Sequence, residues 1–251
     1  MGTPVRRAAE GKMKNTFTTK IAGAFVLLSM AAEFAALGVA LSHGSGPATM
    51  NAMNWGVGDQ LLTFQPDWMR VLFSLGVLAP CLSMLAWPGM YHILAPGGPA
   101  AFFGVIVSAL GMLFGVAAEA IRLSMVMTLP SAYLAAADGA KPSILTLGAF
   151  LGHLFQILAQ TSLIIVYGAG MPLIAAAIVR GRGLPRWLGW VLLVPSVLVG
   201  YVGAPLLILG NATGGPFVGL GLNVFFIWYV VIGVQLLRWS PVPGKGQAAA
   251  S

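Results

Sequence analysis

Charged residues are scarce in this chain of 251 residues: they make up 8% of it, whereas hydrophobic residues make up 58%. A soluble domain of this size carries charge on about a quarter of its residues. So little charge cannot cover a surface that faces water, and apolar runs of about 20 residues are typical of membrane spans. The composition therefore predicts a multi-pass membrane protein whose main partner is the lipid bilayer.

Cysteine is almost absent as well, since Cys81 is the only one in the chain. A single cysteine excludes an intrachain disulfide and a cysteine-based metal cluster. The sequence also has no G-x-S-x-G nucleophile motif, no phosphate-binding loop and no dinucleotide fingerprint. We therefore predict no catalytic residue, no metal site and no cofactor, and the sequence favours a protein that is not an enzyme.

Two histidine-based possibilities stay open beside that prediction. His92 and His153 fall at different depths of different apolar runs, so they cannot share one haem, although either can ligate a haem alone. A metal held by Glu33, Glu119 and His153 uses suitable ligand types but has no recognisable local spacing.

The net charge of +7 does not indicate nucleic-acid binding. The cations lie in short segments between apolar runs, and no basic face or recognition motif accompanies them. We therefore predict no nucleic-acid partner.

Six apolar runs predict an all-α bundle of six transmembrane helices, because helices satisfy every backbone polar group within lipid. The fourth run is too long for one straight span, so we expect a bend near Gly168, Gly170 and Pro172 or a projection beyond the bilayer. A basic tail, 1–20, precedes this single domain, 21–239, and a second tail, 240–251, follows it; we expect disorder before Met13. The predicted spans are 21–41, 71–93, 101–129, 144–179, 187–210 and 216–237.

The distribution of lysine and arginine predicts the orientation. Cytoplasmic segments of membrane proteins are enriched in these residues. Under a six-span topology, ten cations lie on the side of the two termini and only Arg70 and Lys141 on the other. We therefore predict cytoplasmic termini in a cell membrane, which is the inner membrane if the protein is bacterial.

Polar side chains inside the spans are the candidate functional residues. A charge at the centre of a bilayer costs about 2.5–3.5 kcal/mol, so such groups are expected to face protein or water. Glu119 and Arg122 lie three residues apart and hence on one helix face, which predicts an ion pair. The candidates for solute binding or proton carriage are Glu33, Glu119, Arg122, His153, Gln156 and Asn223, and Gln160 shares the face of His153 and Gln156.

Small residues accompany these polar groups at four-residue spacing. Three helices each place two glycines in line with one polar residue, a pattern that lets a neighbouring helix approach closely. We therefore expect the polar groups to meet between helices. The three series are Gly111, Gly115 and Glu119; Gly148, Gly152 and Gln156; and Gly215, Gly219 and Asn223.

Several functions are compatible with such a cluster. Two acids beside one arginine leave one carboxyl that can hold a proton, as a small-solute or proton-coupled carrier requires. The same residues can instead stabilise the bundle only. The cluster is equally compatible with an accessory subunit of a larger membrane complex, with a homo-oligomer, and with a membrane-embedded enzyme acting on a lipid-soluble substrate.

Parts of the chain resemble a family of bacterial six-helix integral membrane proteins grouped as a domain of unknown function. The similar segments are TKIAGAFVLLSMAAEF at 19–34, AEAIRLS at 118–124 and GLPRWLGWVLLVPSVLVGY at 183–201. The resemblance implies a multi-pass membrane protein over most of 19–239 and implies no particular activity.

Overall fold

The computed structural model describes residues 4–42, 67–181 and 183–239, and all regular structure within these ranges is helical. Six helices each contain a stretch long and apolar enough to cross a membrane. The prediction of six apolar helices is therefore confirmed. The helices are α1 (Pro4–Ser42), α2 (Asp67–Leu94), α3 (Pro99–Ala135), α4 (Lys141–Arg180), α5 (Arg186–Ile208) and α6 (Gly214–Arg238).

The first helix corrects one expectation, since α1 begins at Pro4 and the predicted disorder before Met13 is wrong. The physical reason is that extending an existing helix needs no new nucleus, and most residues of this basic segment are good helix formers. Each of the other helices begins and ends within six residues of the predicted span.

Two of the helices change their hydrogen-bonding pattern part-way along. In α4 a π-helical segment, Ile164–Gly170, separates two α-helical parts, and it includes two of the positions where we expected an irregularity. In α5 a second π-helical segment, Ser196–Gly203, was not predicted. π-Helical turns are rare and are frequently found at functional sites.

The two π-helical segments pack against each other at glycines. A Cβ atom on Gly200 would lie 2.6 Å from the Cα of Gly168, closer than real Cβ atoms come to other heavy atoms. Beside this contact the hydroxyl of Tyr201 donates a hydrogen bond to the Gly168 carbonyl over 2.6 Å. Only a residue without a side chain fits at position 200.

The connections between helices define two ends of the bundle. Gly97, in the 3₁₀ turn after α2, lies against the backbone of Ala177 in α4, and Gly183 lies against Ile93. These contacts bring the α2–α3 and α4–α5 connections to one end. The α5–α6 connection, 209–213, and the α3–α4 connection, 136–140, therefore lie at the opposite end.

Aromatic side chains fill much of the core between α4, α5 and α6. Phe225 stacks against both Trp228 and Tyr229. The rings of Tyr167 and Phe225 pack edge to face, with their centroids 5.2 Å apart. The indole of Trp228 donates a hydrogen bond to the Leu188 carbonyl at 2.8 Å. Large exposed apolar residues on the outside of the bundle, such as Phe150 and Ile227, suit contact with lipid.

The alternating connections predict opposite labelling of the two ends in a membrane. In a Cys81→Ala background, a membrane-impermeant thiol reagent should label Ala137→Cys and Ala212→Cys in intact cells. It should label Ala95→Cys only after permeabilisation, because the cation distribution predicts that this end faces the cytoplasm. All three alanines are exposed in connections or at a connection boundary. The reverse pattern would contradict the orientation.

The glycine contact between the π-helical segments predicts a sharp loss of stability on a small substitution. Gly200→Ala should cost about 1–3 kcal/mol of unfolding free energy, because the neighbouring atoms are backbone and cannot rotate away. Gly219→Ala is the matched control, since a Cβ there meets nothing within 4 Å. Thermal unfolding in detergent should show a loss for the first variant alone.

Candidate functional site

The centre of the candidate site is the ion pair that Glu119 and Arg122 form on α3, where an Arg122 Nη donates to a carboxylate oxygen of Glu119. The two side chains lie on one face because they are one helical turn apart. Each side chain is only 22% exposed. A charged pair is therefore held within an apolar bundle.

Two aromatic rings from neighbouring helices hold the arginine. The guanidinium carbon of Arg122 lies 4.4 Å from the ring centroid of Phe73 in α2 and 5.1 Å from that of Phe155 in α4. The face of an aromatic ring is electronegative and attracts a cation, more strongly where water is excluded. Arg122 thereby connects α2, α3 and α4.

Helix α2 also lies against the ion pair at Gly76. A Cβ atom at this position would lie 3.0 Å from Oε2 of Glu119 and 3.5 Å from an Nη of Arg122. Pro80, four residues later, has no N–H, so it removes the helical hydrogen bond to the Gly76 carbonyl. The glycine thus brings backbone close to the charges, and the proline leaves a peptide oxygen of this turn without its helical donor.

Glu33 of α1 faces the same group. It interacts electrostatically with both Glu119 and Arg122. Glu33 and Glu119 also line one cavity of about 260 Å³, the smaller cavity, between α1, α2, α3, α4 and α6. The structure therefore brings two carboxyl groups and one guanidinium together.

Three serines add hydroxyl groups to the wall of the smaller cavity: Ser29, Ser83 and Ser162. The Ser29 hydroxyl donates to the Ala79 carbonyl at 2.8 Å, and its oxygen lies 2.8 Å from that of Ser83. Tyr167, in the π-helical segment of α4, lines the cavity as well. The cavity thus has an acidic and hydroxyl-rich wall.

A second cavity of about 520 Å³, the larger cavity, is also lined by Glu119. It extends between α3, α4 and α6 to the α5–α6 connection, and Gln156 and Gln160 line it. The two cavities share three lining residues, Glu119, Ala159 and Leu163. Glu119 therefore contacts both spaces.

Two candidates predicted from the sequence lie elsewhere. His153 is exposed and, among the described residues, lines neither cavity. It shares a helix face with Gln160 but lies seven residues away, about 10 Å along the axis. The described residues contain no group of three possible metal ligands, so a metal held by Glu33, Glu119 and His153 has no support here.

Asn223 also points away from the site. It is exposed, and its amide donates to the Gly219 carbonyl of its own helix at 2.8 Å. Each step of four residues rotates the position by about 40° around a helix, so Asn223 turns off the face on which Gly215 and Gly219 line the larger cavity. A Cβ atom on either glycine would meet nothing within 4 Å, so the expected close helix approach does not occur there.

The glycine series of α3 behaves as expected. A Cβ atom on Gly111 would lie 3.0 Å from the backbone nitrogen of Val166, and one on Gly115 would lie 3.0 Å from the hydroxyl of Ser162. These glycines let α3 and α4 approach closely. Sequence reasoning missed Phe73, Phe155 and Gly76, although a glycine four residues before Pro80 in an apolar run was a usable signal.

Comparisons with protein-family models, with curated proteins and with solved structures give no match to this chain.

The geometry predicts strong coupling between Glu119 and Arg122. Arg122→Met should cost about 3–5 kcal/mol, because it leaves carboxylates in an apolar setting without their cationic partner. Glu119→Gln should destabilise the protein by less, because it breaks the direct ion pair while Glu33 still interacts with Arg122. The double variant should recover most of the loss seen in Arg122→Met, as measured by thermal or denaturant unfolding in detergent. Additive losses would mean that the two side chains do not stabilise each other.

A second ion pair of the same spacing is the control for this cycle. Lys141 pairs with Asp138 over 2.7 Å, and the Asp138 side chain is fully open to solvent. Exposed pairs contribute about 0–1 kcal/mol. Asp138→Asn and Lys141→Met should therefore change stability little, singly or together.

Proposed function

We propose that the protein is a multi-pass membrane carrier that moves a small solute and couples this movement to a proton carried by Glu33 or Glu119. The main support for this proposal is that two cavities of the bundle are both lined by one acidic side chain, Glu119. A carrier needs a solute space and an ionisable group that contacts it.

The charges of the cluster support proton coupling. Glu33, Glu119 and Arg122 together hold two acids and one base, and Arg122 pairs directly with Glu119. Among the described residues, Glu33 makes no hydrogen bond or ion pair of its own. A proton on either carboxyl neutralises the cluster, whereas full ionisation leaves one net negative charge in an apolar bundle.

The positions of the two acids support a division of roles. Glu33 contacts only the smaller cavity, while Glu119 contacts both. A solute in the larger cavity therefore meets the carboxyl that is paired with Arg122, and a proton on Glu33 changes the charge next to that pair. This arrangement links solute binding to protonation through Glu119.

A charge-transfer measurement in reconstituted membranes tests the proposal. Proteoliposomes on a solid support are given pulses of organic cations, organic anions or uncharged polar solutes, with and without a proton gradient. We expect one of these classes to give a transient current that follows the gradient and is abolished in Glu33→Gln. Asp138→Asn, a charge-neutralising change of an exposed acid outside the cluster, should leave the current intact.

Two outcomes would count against a carrier. No current with any class of solute, together with a stoichiometric partner retained in mild detergent, would favour an accessory subunit of a membrane complex. A current that is unchanged in Glu33→Gln would remove this carboxyl from the coupling mechanism.

A further inference from the structure

The larger cavity has the form of a site for an organic molecule. It opens at the α5–α6 connection, where Gly210, Asn211 and Ala212 are exposed, and it extends inward to Glu119. Its volume of about 520 Å³ lies within the range usual for small-molecule sites, roughly 300–1,000 Å³.

A buried amide without a partner marks the polar part of this site. Gln160 is only 5% exposed and lines the larger cavity. Its side-chain nitrogen has no hydrogen-bond partner among the described residues. Buried donors in proteins nearly always have an acceptor, and a half-turn of the amide about its last torsion exchanges this nitrogen with the side-chain oxygen and turns the donor towards the cavity.

The electrostatic character of the wall argues against a charged occupant. Glu119 is the only ionisable side chain among the described residues that line the larger cavity, and Arg122 already pairs with it. The described lining contains no lysine or arginine that could bind an anion. The compensated carboxylate can still accept a hydrogen bond from an uncharged donor.

Most of the remaining lining is apolar or open, and its other polar residues are Gln156 and Asn211. Phe155, Leu163, Leu207 and Val218 provide hydrocarbon surface, as is usual in small-molecule sites. Gly219 widens the cavity, because a Cβ atom there would meet nothing within 4 Å.

We propose that the larger cavity binds a small uncharged organic solute that carries both an apolar part and a carbonyl or hydroxyl oxygen. The oxygen accepts a hydrogen bond from the Gln160 side-chain nitrogen, and a donor on the solute reaches the Glu119 carboxylate. The inference that this molecule is the transported solute rests on the proposed carrier function. The inference that the cavity binds it does not depend on that function.

Four ring compounds of similar size test the chemistry directly. Benzamide is uncharged with donor and acceptor, toluene lacks both, benzoate is an anion, and benzylammonium is a cation. Binding is measured by saturation-transfer NMR with the protein in lipid nanodiscs, after subtraction of the signal from nanodiscs without protein. We expect benzamide to bind about tenfold more tightly than the other three, the effect of one good hydrogen bond.

Two variants test the location. Gln160→Met keeps the length of the side chain and removes the donor, so benzamide should bind about as weakly as toluene. Gly219→Val places a branched side chain in the cavity at a position where an added Cβ atom meets nothing within 4 Å, so it should abolish binding of benzamide. Gly38→Val is the matched control, since Gly38 is also an exposed helical glycine with open space around it and lines neither cavity.

Several results would overturn the inference. These are a preference for benzylammonium or benzoate over benzamide, benzamide binding that neither Gln160→Met nor Gly219→Val weakens, or no benzamide binding above the lipid control. Failure of the carrier proposal is distinguishable: benzamide binding that persists with no proton-driven current removes transport and leaves the site. A proton-driven current without benzamide binding removes the site and leaves transport.

Discussion

The packing of four helices depends on one largely enclosed guanidinium. Arg122 pairs with Glu119 on its own helix, lies over Phe73 of α2 and Phe155 of α4, and interacts with Glu33 of α1. A charge in an apolar bundle must be compensated from every side that excludes water. This requirement fixes how the four helices are rotated about their axes, which apolar packing alone specifies only weakly.

The remaining two helices contribute space rather than charge. Helix α6 presents Gly215 and Gly219 to the larger cavity, and the end of α5 presents Leu207. Gly111 and Gly115 of α3 let α4 pack closely, whereas Gly215 and Gly219 of α6 stand open. Glycine therefore has opposite effects at two helix interfaces near Glu119. It allows close packing between α3 and α4, and it leaves space for the larger cavity beside α6.

Much of the fold followed from the sequence, because the length of an apolar run determines whether a helix can cross a membrane. The extent of α1 did not, since helix propagation into the basic segment depends on the adjoining span rather than on local apolarity. The site was predictable only in part. Glu119 and Arg122 meet through local spacing, but the roles of Glu33, Phe73 and Phe155 depend on how separate helices rotate. For the same reason Asn223, aligned with two glycines in the sequence, points out of the bundle.

The cavities themselves separate a functional cluster from one that only holds helices together. Protein interiors are packed as densely as organic crystals, and the packing contacts contribute to stability. A structural ion pair gains nothing from open space on two sides, and close packing would strengthen it. Beside Glu119 the bundle instead leaves two partly open cavities of about 260 and 520 Å³, where close packing is given up. A site for a solute and a proton requires such accessible space beside an ionisable group, and this is the reason to prefer the carrier proposal.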